Sequence, residues 1–537
     1  MLSSVARPGS EGRTTLVTTL LRLFARIFTQ ANASKVIGAY ILFIIIKYRR
    51  TTYGVRPRPD LKGPRGLPLI GNTFELMRRP RTQNYQRQTE NHEVRYGSCY
   101  TVSLPGIGRI INVTNPEMID HVLRVNFWAY EKGPRLRSVI EPMVGQGIFG
   151  ADGEHWRWQR KLASHIFNVK SFRSYTSNVF CHEANLVIDY LSTIADTDKV
   201  VDLQNIFYQF TLDSFGEIAF GQSFGCLKNP EQEVEFAVAF DRLNHALSER
   251  IVSPIWKIKD WWTGHGDVVR KDTKTVHEFA YNVIRKRRQE IEENGGHERE
   301  HKDLMQLFMD TRDEHGELLS DEMLKDELIN MILAGRDTTA QALSWMFYLM
   351  HRSEASPEIL RQATEEINDV LKDNLPTYDS IKQQKYVEAC FYETLRLYPS
   401  VPQNIKVCVQ DDVLPGGIRV YKGENIGWCS WAMGRLESLW GRDAKEFKPE
   451  RWLTGEKPSS AKFVSFHLGP RTCLGQQFAT IEAITITSML LQKFTFELVD
   501  PDTEPTYIPA LTLPMATGLA VRVKHRAVNA QSEAIRS

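Results

Sequence analysis

Cys473 stands in the stretch Phe463–Gly475, FVSFHLGPRTCLG, a run dense in constrained residues around a single thiol. The chemistry such a residue offers is that of its thiolate, which needs stabilising. A helix-like run, Gln476 to Leu491, begins just after it, so free N–H groups and the helix dipole would favour the anion. Gly469 and Gly475 permit backbone conformations and close approaches that a Cβ would block. An isolated cysteine is usually a buried core thiol. A second group, Ala334-Gly335-Arg336-Asp337-Thr338-Thr339, falls inside a helical run from about Ser320 to Met350. There the Thr338 hydroxyl can bond the carbonyl four residues back and distort the helix. Asp337 beside it makes an acid–alcohol pair able to relay protons, or else a capping Asp-Thr at a kink. Glu393 and Arg396 are spaced i, i+3, and Trp156 and Arg160 i, i+4. Each pair shares one helical face, though such spacings are common.

Together these residues resemble the cytochrome P450 family. Phe466 to Gly475 fills every specified position of its heme loop, F-x-x-G-x-R-x-C-x-G. Trp156 and Arg160 are similar to its W-x-x-x-R, Ala334–Thr338 to its A/G-G-x-D/E-T, and Glu393–Arg396 to its E-x-x-R, with Phe447–Trp452 following. The order is the family's, and the resemblance spans Gly63 to His525. It implies a mainly α fold with small β-sheets (α+β), in one large heme domain. It implies heme b with Cys473 as the axial thiolate ligand, in a loop shaped by Phe466, Gly469 and Gly475. Arg471 would reach a heme propionate with a charge-assisted hydrogen bond, and Trp156 and Arg160 would contact the propionates. Gly335 would remove bulk where dioxygen sits. Asp337 and Thr338 would relay protons. Glu393, Arg396 and Arg451 would form a structural ion network on the heme side, because a buried charge trio needs full mutual satisfaction.

The implied reaction is a monooxygenation of a hydrophobic substrate by dioxygen. NADPH would act through a separate cytochrome P450 reductase, because the stretch after Cys473 is too short for a flavin domain. Cytochrome b5 is a further candidate donor. Gly147–Lys161, Ala334–Thr339, Leu395–Gln403, Asp411–Pro415 and Trp440–Leu453 look like the fatty-acid ω-hydroxylases and alkane hydroxylases of plants and fungi. That implies terminal hydroxylation of a long-chain fatty acid or alkane. The alternative is a terpenoid, steroid or secondary-metabolite hydroxylase, and beyond it a heme-binding sensor, which would not need the acid–alcohol pair. Animal fatty-acid ω-hydroxylases often carry a heme-esterifying glutamate where Ala334 stands, so the heme is expected to be non-covalent. Terminal attack requires a narrow apolar channel, with Ile332, Leu333, Val401, Leu513 and Met515 as lining by family analogy. Lys132, Arg135 and Arg137 are carboxylate anchors or solvated charges. Arg157 and Lys161 would face outward, either to dock an acidic electron donor or simply as a solvated face.

These residues need a large scaffold, and 537 residues with 42% hydrophobic content supply one. The net charge of +2 gives no argument for nucleic acid. Seven scattered cysteines without a C-x-x-C pair suit a reducing compartment. Residues 1–50 read as a membrane anchor or targeting segment, 51–72 as a proline-rich hinge, 73–525 as the catalytic domain and 526–537 as a polar tail. The apolar run Val36–Ile46 is shorter than the roughly 20 residues a span needs. Lys47, Arg49 and Arg50 follow it, which places the catalytic domain on the cytosolic side. The expected location is the endoplasmic reticulum membrane. A mitochondrial presequence is the alternative, because only Glu11 is acidic before residue 50. Arg109–Val113 reads as a strand paired with Ser98–Leu104 across Pro105-Gly106. Ile251–Trp262 is tryptophan-rich and would dip into a membrane interface, while Arg285–Arg288 reads as a solvated helix end.

Overall fold

The computed structural model describes residues 30–48, 52–78, 80–166, 170–253, 255–293, 303–313, 316–352, 356–372, 374–508 and 510–526. The targeting segment before residue 30, the polar stretch 294–302 and the tail from 527 onward lie outside the described residues. Apolar residues at three- and four-residue spacing produce a body of helices, one of them over Gly133–Val144, where the glycines and proline suggested irregular chain. They include α1 (Gln30–Lys47), α2 (Gly133–Val144), α3 (Gly153–Ile166), α4 (Lys170–Ile194), α5 (Leu203–Phe220) and α6 (Glu235–Val252). After them come α7 (Trp256–Thr263), α8 (His265–Glu293), α9 (Asp321–His351), α10 (Lys385–Leu397) and α11 (Gln476–Lys493).

The strands are short and lie at the side of this helical body. A five-stranded sheet contains β1 (Cys99–Leu104), β2 (Gly108–Val113), β3 (Tyr130–Glu131), β5 (Gln403–Cys408) and β8 (Asn425–Cys429), in the order β1-β2-β8-β5-β3. A three-stranded sheet joins β4 (Val200–Asp202), β10 (Ala520–His525) and β9 (Phe494–Leu498), and β6 (Asp412–Leu414) pairs with β7 (Ile418–Val420). The β1–β2 hairpin forms as expected, with Val102 opposite Ile110. Gly106 (φ +71) and Gly108 (φ +94) take the left-handed positions of its turn. The mainly α architecture with small sheets is therefore present.

The element that positions the chemistry is α9. Its Ser320 cap accepts the Met323 N–H at 3.3 Å, and Asp321 and Glu322 occupy the first turn, where the helix dipole favours them. From Leu324 to Met350 almost every residue is buried, against α5, α8, α10 and α11 among others. Arg287, in the run expected to be a solvated helix end, is instead buried in an ion pair with Asp303.

The proline-rich segment, expected as a hinge, makes specific contacts with the sheet. Arg58 donates to Glu424 at 2.7 Å and to Arg419 O at 2.8 Å. Arg56 and Arg58 both lie against the Tyr421 ring, at 4.4 and 5.0 Å. The Thr101 N–H donates to Lys62 O at 2.8 Å, and a Cβ on Gly63 would meet Thr101 O at 2.1 Å. From Arg56 onward this segment is docked on the sheet. Among the described residues no helix is long and apolar enough to cross a membrane. The apolar part of α1 is confined between Lys35 and Lys47, and Val36, Ile37, Leu42 and Ile46 along it are exposed.

Arg58 is buried, and its loss would take one of two cations from Glu424, leaving Arg109 at 3.3 Å. We expect Arg58→Ala to cost about 2 kcal/mol, read as a lower midpoint in chemical denaturation. Limited proteolysis should then cut between residues 52 and 72. A protected segment in the variant would show that docking does not depend on this arginine.

Candidate active site

The Cys473 loop is closed by its own backbone. The Cys473 N–H donates to Phe466 O at 2.8 Å. Gly469 has φ +69, and a Cβ there would sit 2.1 Å from Leu123 O, so glycine is required. Gly475 differs from expectation. Its φ is −87, and a Cβ would lie in ordinary contact, 3.9 Å from the Cys473 sulfur. Its contribution is its N–H, which bonds the sulfur. Burial pushes the Cys473 thiol up, while the Gly475 N–H and the Arg160 charge favour the thiolate. Among the described residues Cys473 is nevertheless the only exposed cysteine.

Trp156 and Arg160 reach this loop from one face of α3, as their spacing requires. The Arg160 guanidinium donates to Thr472 O at 2.5 Å. Trp156 is buried beneath the Arg471 guanidinium, 4.3 Å from its ring. Arg471 donates to Ala151 O at 2.8 Å and to Asp152 at 2.9 Å, while its Nε is buried with no partner. Arg157 and Lys161 are exposed on the outer side, Arg157 facing Glu154 at 3.5 Å.

Two lysines join this cluster. Lys132, expected to be a carboxylate anchor or a solvated charge, donates to Phe149 O at 2.6 Å. Burial and then Arg471 pull its ammonium down to about 7. Lys406, which the sequence reading missed, is buried with its Nζ unpartnered. Burial, Arg471 and Lys132 drive it well below the ordinary lysine range. The structure thus gathers an excess of cations beside Cys473. The remaining anchor candidates are engaged elsewhere. Arg135 donates to Ile251 O and Ser253 O at 3.0 and 3.2 Å, and Arg137 donates to Asp152 at 3.1 Å.

On α9 the Thr338 hydroxyl donates to Ala334 O at 2.7 Å, the back-bond its position suggested. Asp337 is buried and accepts from Asn244 at 2.8 Å and from Arg336 at 2.9 Å. Arg336 also donates to Asp241 at 2.5 Å, and the Asp241 side chain is 52% exposed. Burial pushes the Asp337 carboxyl up, against the pull of Arg336. Asn244 and Asp241 come from α6, a helix distant in sequence, and were not foreseen. A Cβ on Gly335 would strike the Phe215 ring of α5 at 2.5 Å, so the missing side chain also admits a neighbouring helix. Between Leu324 and Met350 only Leu333, Ala334, Gly335 and Thr338 keep partial exposure. Among the expected channel residues Leu333 and Val401 are partly open, but Ile332, Leu513 and Met515 are sealed in the core at 0–1%. Gln341 and Gln204 bind the backbone at Leu513 and Met515 and hold both inside.

The Glu393–Arg396 pair is bidentate, at 2.6 and 2.7 Å, with both side chains fully buried. Arg396 also donates to Gly434 O, to Ala444 O at 2.5 Å and to Glu446 O at 2.8 Å. Arg451 completes the trio at 3.5 Å from Glu393. Trp452 Nε1 and the Lys448 N–H donate to the same carboxylate at 2.9 and 3.0 Å. Ser465 ties α10 to the Cys473 loop through Leu395 O at 2.8 Å. We expect Glu393→Ala to cost about 3–5 kcal/mol, since Arg396 would be left buried and unpaired. Denaturant unfolding measures this; a loss below about 1 kcal/mol would mean that backbone carbonyls alone satisfy Arg396.

Comparison with known proteins agrees with this geometry. Residues 61–519 match the sequence profile of the family described as Cytochrome P450. The chain is 38% identical over 532 residues to cytochrome P450 monooxygenase cyp1 of Mycosarcoma maydis, covering 94% of this chain and 82% of that protein. It is 36% identical over 433 residues to cytochrome P450 86B1 of Arabidopsis thaliana, 77% of each chain. Cytochrome P450 94A1 of Vicia sativa is 32% identical over 485 residues, 86% of this chain and 90% of that one. A heme-thiolate loop, an acid–alcohol pair on the central helix and a match over most of the chain place this protein in the cytochrome P450 family, as a heme-dependent monooxygenase.

Proposed function

We propose that the protein hydroxylates the terminal carbon of a long-chain fatty acid or alkane. NADPH would supply electrons through a separate reductase, with cytochrome b5 as a second donor. The observation that carries this reading is the narrow opening on α9. Between Leu324 and Met350 only Leu333, Ala334, Gly335 and Thr338 are partly open, which suits the end of a flexible chain better than a rigid polycycle. The likeness of five sequence stretches to fatty-acid ω-hydroxylases and alkane hydroxylases points the same way.

Heme b fits the residues present. Lys406 Nζ and Arg471 Nε are buried donors without partners, beside Lys132, and a group with two carboxylates would satisfy them. Cys473 would ligate its iron, and Trp156, Arg160, Lys132, Lys406 and Arg471 would hold its edge. Ala334 offers no carboxylate for an ester link. When bound, a thiolate-ligated heme iron supplies dioxygen binding and O–O cleavage.

The chain's own residues handle the protons. Thr338 donates to Ala334 O, so its oxygen lone pairs remain free to accept a proton. Asp337 has a carboxyl raised by burial and suited to holding one. Arg336 is always protonated, so it orients Asp337 rather than relaying. Half-exposed Asp241 marks the solvent end.

Membrane attachment at the endoplasmic reticulum, with the catalytic domain in the cytosol, is part of the proposal. It is supported by exposed apolar side chains on α1, at Phe74 and Met77, and on α7 at Ile258, Trp261 and Trp262.

Two experiments test this. Lys406→Met should leave folding intact and weaken heme retention about tenfold, as expected for loss of an outer-sphere partner. Unchanged retention on gel filtration would remove Lys406 from the heme site. Titration with lauric to stearic acid should shift the heme spin state, and reductase with NADPH should give terminal hydroxy acids. Thr338→Ala should then consume NADPH with little product. Neither shift nor product would return the substrate to the terpenoid, steroid or secondary-metabolite class.

A further inference from the structure

The carbonyl ladder of α9 takes two side-chain hydroxyls one turn apart. The Thr338 hydroxyl donates to Ala334 O, and Ser400 donates to the Thr338 carbonyl at 2.7 Å. In a regular helix each of these oxygens serves the N–H four residues on. A hydroxyl that shares the acceptor tilts the carbonyl outward and loosens that rung of the ladder. Ser400 belongs to the connection between α10 and β5, far along the chain from α9. It is only 9% exposed, so its hydroxyl holds the carbonyl away from bulk water.

The same connection meets α9 a second time. Tyr398 stacks on Trp345, with ring centres 3.9 Å apart and planes 10° from parallel. Thr338 and Trp345 stand about two helical turns apart and so share one face of α9. The stack is fastened on both sides. Trp345 Nε1 donates to Leu513 O at 2.8 Å, Tyr398 OH donates to Glu504 at 2.6 Å, and the Arg435 guanidinium lies 4.6 Å from the Tyr398 ring. Packing of the connection against α9 therefore does not depend on Ser400. Its hydroxyl does something narrower: it holds the peptide unit that follows Thr338. That hold and the bond to Ala334 O fix the direction of the Thr338 hydroxyl from two sides. We propose that Ser400 is a positioning residue for the oxygenation, acting through the Thr338 carbonyl to keep the Thr338 hydroxyl where it accepts and passes a proton. The inference rests on the proton role proposed for Thr338, so the two residues are tested together.

The test is a double-mutant cycle on the full-length heme protein. Two quantities are read. One is the infrared band of carbon monoxide on the ferrous heme, taken without substrate, so that it reports on Thr338 whichever substrate is oxidised. The other is product formed per NADPH with lauric acid and reductase. Ser400→Ala should keep the heme-thiolate spectrum and the affinity for lauric acid, and shift the infrared band. It should lower product per NADPH about fivefold, the scale of one lost hydrogen bond. Added to Thr338→Ala it should change neither quantity further, because Ser400 acts through Thr338. An unmoved infrared band in Ser400→Ala would overturn the proposal. Loss of heme would overturn it by making Ser400 a structural contact, and effects that multiply in the double variant would overturn it by making Ser400 independent of Thr338. Coupling lost in Thr338→Ala but intact in Ser400→Ala would overturn this inference alone. Coupling intact in both would overturn the proton role of Thr338 and this inference with it.

Discussion

Glu393 and Arg396 have no contact with solvent, and that constraint dictates much of what surrounds them. A buried guanidinium and carboxylate are tolerable only when nearly every donor and acceptor is met inside. Meeting them draws in the carbonyls of Gly434, Ala444 and Glu446, the Lys448 N–H and the Trp452 indole. These groups span the irregular chain between β8 and the Cys473 loop, which has little regular structure of its own. Gly434 pays for this closeness with its side chain, since a Cβ there would meet Arg396 O at 1.9 Å. The loop that carries the thiol is tied, through Ser465 and Leu395 O, to the helix that holds this ion pair.

The same logic separates the two polar groupings nearer the reaction. Around Arg396 every charge is answered. Around Lys132, Lys406 and Arg471 cations are in excess, and buried donors are left without partners. A fold that satisfies one cluster so fully and leaves another short has a ligand to complete the second. The acid on α9 lies between these extremes. Asp337 is paired with Arg336 and Asn244, yet the chain of contacts ends at a carboxylate half in water.

What the sequence made legible was local. Cys473, Gly469 and Arg471 lie in one loop, Ala334 and Thr338 one helical turn apart, and Glu393 and Arg396 on one face of α10, so spacing alone predicts their relation. Lys406, Asn244 and Asp241 were hidden because they meet their partners across long sequence separations, through the packing of whole helices and strands. Leu513 and Met515 fit a channel by analogy, but glutamine bonds to their backbone turn both into the core. The proline pattern suggested a hinge. It could not reveal that Arg58 finds Glu424, far along the chain, and docks there.

That docking has a consequence for how the protein is made. β2 pairs in parallel with β8, joining Ile111 to Ile426, and Arg58 waits on the turn that precedes β8. Neither the sheet nor the docked segment can close until the ribosome has delivered most of the polypeptide. Contacts so distant along the chain form slowly, because loop-closure entropy is lost before they reward it. The helical body around α5 and α9 is assembled from nearer segments and can condense first. During synthesis the N-terminal side of the molecule is therefore a tethered, unfinished edge, with the β1–β2 hairpin lacking its β8 neighbour until that strand emerges.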